Sequence, residues 1–319
     1  MISFITIGRN EGWKLTRCLK SVLKTINTNN LKKCEIIYVD SNSTDDSLDR
    51  AISFPNVKCY KITGICNAAI ARNIGAKESS GDILFFIDGD MEIISDFLPL
   101  VYEENFGLNQ DFVSGQFINY NYDYTGNLLS KEPYFRNTLK HTQECTTGGL
   151  FLVKRDIWNK IGGMKNKLKR NEDIDFGIRL AKIGIFLLRR GELLAIHHTV
   201  SYHNPLRIWK TLFTDAELYR AVLLRDNITN KYHWKFFLRE NYSAVFLIAV
   251  FSFSFFSNVY FLFLVYFFVI LFRGFIKPGT NILSKINIAI YYMVRDILFL
   301  SGFLFFWPRG NKQISYKKY

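Results

Sequence analysis

Two aspartates separated by one glycine, Asp88-Gly89-Asp90, follow directly after an apolar run over residues 83–87. Carboxylates at this spacing can hold a divalent cation against a diphosphate, because Mg²⁺ and Mn²⁺ take oxygen ligands and keep open positions for phosphate oxygens. Gly89 leaves room for a ligand to approach the backbone. Surface turns often contain the same pattern, so the significance of the pair depends on the elements that position it.

Short apolar segments alternate with amphipathic helices over the first 100 residues or so. We predict strands over 2–7, 35–39, 57–62 and 83–87, with helices over 13–25 and 68–77. This alternation predicts βαβ units and a parallel sheet, in which ligands bind at the carboxyl ends of the strands. Polar clusters follow three of the strands and should meet in one crevice: Arg9-Asn10-Glu11, Asp40-Ser41-Asn42 and Asp88-Gly89-Asp90.

The pattern changes after residue 111. We predict strands over 112–122 and 150–153, an irregular loop over 124–144, and a helix over 172–183. Gly148-Gly149 precede the second strand, and Glu172-Asp173-Ile174-Asp175 open the helix.

Motifs spread over residues 3–180 resemble the family 2 glycosyltransferases. In chain order they are Ile5-Thr-Ile-Gly-Arg9-Asn10-Glu11, Tyr38-Val-Asp40, Asn67 to Gly75 with Arg72-Asn73, Gly81 to Asp90, Gly148-Gly149, and Asn171-Glu172-Asp173-Ile-Asp175. Taken together they are specific. The resemblance implies an α/β GT-A fold, which is a Rossmann-like, mostly parallel sheet flanked by helices. It also implies a nucleoside diphosphate sugar donor, with a UDP-sugar favoured, and an inverting reaction.

The resemblance also implies which residues bind the donor. Asp40 is expected to hydrogen-bond the nucleotide base, and Arg9, Glu11 and Arg72 are expected to line the same pocket. Other interpretations stay open for two of them. Asp40 suits a turn or a helix N-cap, and Arg72 suits an ion pair with a nearby acidic residue, Glu78 or Asp82.

A Mg²⁺ or Mn²⁺ cofactor would be bound by Asp90, and Asp88 would face the ribose or a metal-bound water. His197, after the apolar residues 193–196, is a further candidate metal or phosphate ligand. The resemblance implies this because a late strand of GT-A enzymes returns to the diphosphate. Most histidine pairs at strand ends are structural, so this assignment competes with a structural one.

Asp173 is the candidate catalytic base. An inverting transfer needs one carboxylate to take the proton of the acceptor hydroxyl, and the resemblance selects the aspartate of the Glu172-Asp173 pair. Glu172, Gly148 and Gly149 are expected to bind the acceptor. A solvated acidic first turn of a helix is the alternative, although it leaves Gly148, Gly149 and Arg179 unexplained.

Charge and apolar composition are concentrated at the C-terminal end. The net charge is +13, yet residues 200–319 hold 15 basic and only 5 acidic side chains. This basic segment also contains the longest apolar runs, which favours an anionic membrane surface as its partner. Nucleic acid is not expected as a partner, because the chain carries no basic recognition motif.

The domain division follows this composition. We predict a glycosyltransferase domain over 1–203, amphipathic interfacial helices over 204–242, and a membrane region over 243–319. Residues 243–272 carry no charge and suffice for one tilted span. Residues 286–307 are a second candidate span, with an interfacial or buried helix as the alternative. No basic leader with a cleavage site is visible at the N-terminus. The protein is therefore expected at the membrane, with its catalytic domain and its basic tail, 312–319, in the cytoplasm.

Three functions remain open at this stage. The first is transfer of one sugar to a hydroxyl of a lipid-linked saccharide. Processive synthesis is not expected, because the Gln-x-x-Arg-Trp motif of the family's processive synthases is absent. The second is transfer to polyprenyl phosphate, which needs no general base. The third is nucleotide binding at a membrane without catalysis.

Overall fold

The structure, a computed structural model, describes residues 1–123, 125–135, 140–200, 205–212, 214–276, 282–308 and 314–319. These residues fall into two compact units, Met1–Ser201 with Arg309–Tyr319, and Tyr202–Pro308. The predicted boundary between 203 and 204 and the start of the tail at Lys312 lie outside the described residues.

Most strands of the first unit belong to one mixed sheet. The strands, in chain order, are β1 Ile2–Gly8, β2 Cys34–Asp40, β3 Val57–Ile62, β4 Ile83–Asp88, β5 Met91–Ile93, β6 Tyr102–Glu103, β7 Gly107–Leu108, β8 Phe112–Tyr122, β9 Leu128–Pro133, β10 Thr142–Glu144, β11 Phe151–Lys154, β12 Leu187–Val200 and β13 Tyr316–Lys318. The helices are α1 Trp13–Thr28, α2 Ser47–Ile52, α3 Ala68–Glu78, α4 Arg155–Ile161, α5 Glu172–Lys182, α6 Pro205–Leu212, α7 Tyr219–Asp226, α8 Lys231–Ser257, α9 Leu262–Ile276 and α10 Ile282–Phe305.

The sheet has the order β10-β12-β8-β11-β4-β1-β2-β3-β13, with β5 added to β12 and β9 to β8. Strands β4, β1, β2 and β3 are parallel to one another, whereas β11 is antiparallel to β4. Because β1, β2 and β4 are buried on both faces, they are continuous apolar runs, as parallel strands usually are. The predicted alternation of strands and helices in the first 100 residues is thus confirmed.

Helices cover both faces of this sheet, so the hydrophobic core has two parts. Helix α1 presents Leu15, Leu19 and Val22 to the part that contains Phe4 and Phe85. On the opposite face, a second cluster surrounds the aromatic side chains of four residues, Phe86, Phe151, Trp158 and Phe176. Full burial of one such side chain contributes about 1.5–3 kcal/mol. Phe176 lies on α5, so this packing fixes α5 against the sheet.

Two irregular or exposed segments form strands that the sequence pattern did not predict. Strands β9 and β10 lie within the predicted loop 124–144; Tyr124 itself is outside the described residues. Residues of β9 are almost all exposed, and among the described strands β9 pairs with β8 alone. An exposed edge strand of this kind has no alternation of apolar and polar residues for sequence analysis to detect.

The second unit consists of helices, and its apolar part differs from the predicted span over 243–272. Helix α8 begins at Lys231 and ends at Ser257, where Asn258 adopts a left-handed conformation with φ 56°. Helix α9 starts again at Leu262. Because a left-handed residue ends the hydrogen-bonding pattern of a helix, the uncharged run is divided between two helices. By length and composition α8 and α10 can each cross a membrane, while α9 is shorter.

The last part of the predicted membrane region, 243–319, does not belong to the helical unit. The last described residues form β13, which pairs antiparallel with β3 at the edge of the sheet. The Tyr316 hydroxyl donates to Glu78 at 2.6 Å and accepts from Lys77 at 3.0 Å. The end of the chain therefore packs in the first unit. Three residues within the basic tail are too few to show a strand pattern.

Candidate functional site

The polar clusters after β1, β2 and β4 lie at one edge of the sheet, as predicted. Gly8 is in register with Asp40, and Ile7 with Asp88. A cleft of about 350 Å³ opens at this edge. Its lining residues come from six segments of the chain and are Ile7, Gly8, Arg9, Glu11, Ser41, Cys66, Asn67, Ala68, Arg72, Asp88, Asp90, Gly149, Glu172 and Asp173.

Arg72 connects the two halves of the cleft. Its guanidinium donates to Oδ1 of Asp88 at 2.7 Å and to Oε1 of Glu172 at 3.0 Å. The side chain is almost fully buried, which the two carboxylates make possible by pairing with its charge. Of the partners considered from sequence, Glu78 and Asp82, neither is used. Arg72 instead joins residues that are 16 and 100 positions away.

Gly149 lies against this ion pair. A Cβ atom at position 149 would overlap the Asp88 carboxylate and would come within 2.8 Å of the Arg72 guanidinium. Nothing lies within 4 Å of the corresponding position at Gly148. Only Gly149 is therefore required to be glycine by close packing, and the acceptor role of both glycines stays a prediction.

Asp173 lies beside Glu172 at the first turn of α5 and its side chain lines the cleft. Burial raises the pKa of Asp173 to about 7, and the adjacent Glu172 carboxylate adds to the increase. Burial also raises the pKa of Glu172, although Arg72 opposes this. A carboxylate with a pKa near neutrality, at a cleft surface, has the property that a general base needs.

The loop before α5 is held by ion pairs that sequence analysis did not assign. Asp175 is fully buried and accepts from Lys165 at 2.9 Å and from Arg179 at 2.6 Å. Arg179 also donates to the carbonyl oxygens of Ile161 and Gly163. These bonds fix the start of α5, and with it the position of Asp173. An aspartate four residues before an arginine on one helix was the sequence signal for this ion pair.

Asp90 lines the cleft and contacts His197, which is not one of the lining residues. Oδ2 of Asp90 lies 3.1 Å from Nε2 of His197, and Nδ1 of the same ring lies 2.8 Å from Oδ1 of Asn119. An Nδ1–H that donates to Asn119 leaves a lone pair on Nε2 in the neutral ring. In that tautomer the Nε2 lone pair and the Asp90 carboxylate are close enough to bind one cation together.

This pair fits a Mg²⁺ or Mn²⁺ ion with two protein ligands. Among the described residues, no three His, Cys, Asp or Glu side chains are grouped so that they could hold a metal. Further ligands would have to come from the substrate, which suits hard cations that bind phosphate oxygens. Burial raises the pKa of Asp90, but His197, Lys14 and a backbone hydrogen bond together outweigh this and keep the pKa below its usual value. Asn119 was not predicted from the sequence. The signal that could have found it is the polar face of strand β8, which Asn119 shares with Asn121.

Arg9 and Glu11 follow β1 at the entrance of the cleft. Arg9 is exposed, and Glu11 is paired with Lys14 at 3.1 Å. Burial and the nearby Asp90 raise the pKa of Glu11 to about 7. Both side chains line the cleft, so the predicted contact of each with a nucleotide stays a prediction that the geometry permits.

Asp40 is placed differently from the other predicted donor residues. Its carboxylate is fully buried and accepts from the Tyr38 hydroxyl at 3.0 Å and from the backbone N–H of Ser43 at 2.8 Å. These bonds fix the turn after β2, which is the alternative role considered from sequence. Ser41 rather than Asp40 lines the cleft. The role of Asp40 toward the nucleotide base stays a prediction.

Comparison with known proteins identifies the family. The profile of "Glycosyl transferase family 2" matches residues 3–176. Glycosyltransferase AglE of Haloferax volcanii is 26% identical over 205 residues, which are 61% of this chain and 66% of the relative. Cholesterol galactosyltransferase of Borreliella burgdorferi is 30% identical over 171 residues, or 48% of this chain and 46% of the relative. The chain thus spans less than two thirds of either relative.

A solved structure shows the same fold. Staphylococcus aureus TarS, residues 1–349, superposes with a TM-score of 0.52 at 14% sequence identity, over 94% of this chain and 90% of that one. The likeness extends to the α/β sheet with flanking helices that the sequence predicted. Since the family profile covers more than half of the chain, and the sheet and its helices are those of the GT-A fold, the protein belongs to glycosyl transferase family 2.

Proposed function

We propose that this protein transfers a single sugar, with inversion, from a nucleoside diphosphate sugar to a hydroxyl of a lipid-linked saccharide at the membrane. The observation that carries the proposal is the Arg72 bridge between Asp88 and Glu172. Because of this bridge, the carboxylates after β4 and the Asp173 carboxylate line one cleft. Donor and base must share such a cleft for the acceptor hydroxyl to attack the anomeric carbon in line.

Each part of the cleft has its own task in this proposal. Arg9 and Glu11 contact the nucleotide, and Asp90 with His197 holds the divalent cation. When bound, the cation supplies charge neutralisation for the leaving diphosphate. Asp173 accepts the proton of the acceptor hydroxyl, and Arg72 holds the Glu172 carboxyl group in place beside it.

The distribution of side chains in the helical unit supports a membrane location. Phe255, Phe256 and Phe305 are each more than 80% exposed, whereas Arg273, Arg295 and Asp296 are almost fully buried. Arg273 donates to the Ser243 hydroxyl, and Arg295 donates to the carbonyl oxygen of Glu240. Apolar side chains outside and paired charges inside are the arrangement expected in lipid. The relative named for cholesterol as its acceptor also acts on a membrane lipid.

Strand β13 supports an even number of membrane crossings. The chain leaves the sheet-containing unit before α6 and returns to it after α10, where β13 pairs with β3. An odd number of crossings would put the two parts of that unit on opposite sides.

Purified protein in lipid nanodiscs provides the direct test. UDP-, GDP- and TDP-sugars are supplied with Mn²⁺ or Mg²⁺, and release of the nucleoside diphosphate is followed with and without lipid-linked acceptors. We expect metal-dependent release with at least one donor, and a higher rate with an acceptor. Nucleotide binding without release from any donor would contradict the proposal and favour a non-catalytic protein.

The variant Asp173→Asn tests the class of acceptor. It should bind UDP and Mn²⁺ like the wild type and should lose transfer to a hydroxyl, because the amide cannot take the proton. Asp49→Asn, at an exposed carboxylate of α2, is the matched control. Normal transfer by Asp173→Asn would exclude Asp173 as the base and would favour polyprenyl phosphate, which needs none.

A further inference from the structure

Three aromatic rings form a corner next to the cleft, on the α1 side of the sheet. Trp13, at the start of α1, lies 5.4 Å from both the Tyr122 ring and the His198 ring, measured between ring centroids, and is edge-on to each. Trp13 is 39% exposed. None of these three side chains lines the cleft that contains Asp173. We call Trp13, Tyr122 and His198 the aromatic corner.

Polar bonds hold the aromatic corner in one geometry. Nδ1 of His198 lies 2.9 Å from the Tyr122 hydroxyl, and Nε2 lies 3.0 Å from Oε2 of Glu92. The Glu92 carboxylate is also 3.7 Å from Arg17, whose guanidinium lies 5.3 Å from the centroid of the Trp13 ring. Rigid rings are thus bordered by groups that can donate and accept hydrogen bonds.

The aromatic corner is joined to the proposed metal site through the backbone. The N–H of His198 donates to the carbonyl oxygen of Asp90 at 2.9 Å. His197 and His198 are neighbours on β12, so their side chains point to opposite faces of the sheet. One face therefore carries the proposed metal ligand, and the other carries the corner. Trp13 is two residues beyond Glu11, which lines the cleft.

A sugar ring matches this combination of groups. It has an apolar face of C–H groups and a rim of hydroxyls, so it can pack against an aromatic side chain while hydrogen-bonding to charged groups beside it. One exposed aromatic residue on a surface is common. Here the rings are oriented by partly buried hydrogen bonds, and the backbone of His198 is bonded to Asp90, which lines the cleft.

We propose that the aromatic corner binds a sugar ring of the saccharide acceptor, at a distance from the hydroxyl that reacts. This inference rests on the proposed function, because it assumes a saccharide as acceptor. Trp13 would act as a specificity-determining residue: it selects acceptors long enough to reach from the cleft to the corner, and it takes no part in proton transfer or donor binding.

Binding of defined sugars tests the inference without catalysis. Saturation-transfer NMR is recorded with methyl glycosides and β-linked disaccharides of glucose, galactose and N-acetylglucosamine, in the presence of UDP and the diamagnetic ion Mg²⁺. We expect the wild type to bind at least one of them. Trp13→Ala should weaken that binding about 2- to 10-fold, the effect of losing one aromatic contact. Trp13→Phe should retain it, which also separates the effect from misfolding.

Matched controls make the outcome decisive. Trp234 is also 39% exposed but lies in the helical unit, so Trp234→Ala should bind the same sugars as the wild type. UDP binding should be unchanged in all these variants. Equal sugar binding by Trp13→Ala and wild type, or no binding of any sugar by the wild type, would overturn the inference. Failure of donor cleavage by the wild type would instead contradict the proposed function, and the two failures are read from different measurements.

Discussion

Oδ2 of Asp90 lies 3.1 Å from Nε2 of His197, although 107 positions separate the two residues in the sequence. Strand β5 pairs with β12 at this point, with Met91 in register with His197. The pairing brings an acidic residue that follows one strand next to a histidine of a much later strand. The Asn119 amide oxygen fixes the orientation of the ring from the other side. The two groups of the proposed metal site are thus held in position by the fold itself.

The first prediction concerns Asn119 and His197. Asn119→Ala removes the bond that orients the His197 ring, and loss of such a partner weakens metal binding ~10- to 100-fold. His197→Ala should weaken it at least as much. Titration of Mn²⁺ in the presence of UDP, followed by electron paramagnetic resonance, measures this. His141→Ala, at a histidine that is half exposed outside the cleft, should bind Mn²⁺ normally. Unchanged Mn²⁺ affinity in His197→Ala would remove His197 from the metal site.

The second prediction contrasts two adjacent glycines. Gly149→Ala should lose UDP binding, because the new methyl group would displace the Asp88 carboxylate from Arg72. Gly148→Ala has open space for its methyl group and should bind UDP normally. Isothermal titration calorimetry with UDP and Mn²⁺ distinguishes them. Equal losses in both variants would contradict the steric explanation.

The third prediction is a dependence of transfer on pH. The pKa of Asp173 is raised to about 7, and a base works only when it is deprotonated. The value of kcat/KM should therefore rise as the pH increases toward about 7 and level off above it, because this parameter reports the free enzyme. In Asp173→Asn the residual rate should lack this rise. A rise that persists in Asp173→Asn would assign the titration to another group.

The fourth prediction concerns the buried guanidinium. Arg72→Met leaves the Asp88 and Glu172 carboxylates without their shared partner, and removing one member of a buried ion pair costs about 3–5 kcal/mol. The midpoint of thermal unfolding of the sheet-containing unit should fall by roughly 6–20 °C. Adding Glu172→Gln to Arg72→Met should restore part of the loss, since one uncompensated charge is removed. No recovery in the double variant would show that packing, rather than charge, dominates.

The fifth prediction concerns strand β13. Tyr316→Phe removes the hydroxyl that connects Glu78 and Lys77, and one such bond contributes about 1 kcal/mol. The thermal midpoint should fall slightly, and deletion of residues 314–319 should lower it further because the edge of β3 is then unpaired. Tyr319→Phe, at an exposed side chain, is the control. A deletion variant as stable as the wild type would show that β13 does not stabilise the sheet.

The sequence by itself determined the parts of the protein that depend on local patterns. Apolar runs identified β1, β2, β3 and β4, and polar residues after β1, β2 and β4 predicted the crevice. Parallel strands have their carboxyl ends at the same edge, so Arg9, Asp40 and Asp88 had to lie near one another. The family motifs predicted Asp173 as the candidate base, because the motifs and their order along the chain can be read from the sequence.

Tertiary structure alone decided which side chains meet and which segments pair. Arg72 with Glu172, and Asp90 with His197, are about 100 residues apart, and no periodicity connects such positions. Strands β9, β10 and β13 owe their existence to neighbouring strands whose hydrogen-bonding edges they complete, and not to their own apolar residues. The burial of Asp40 was likewise decided by the turn that it supports. Contacts between residues that are far apart in the sequence depend on how the whole chain folds, so a short stretch of sequence does not predict them.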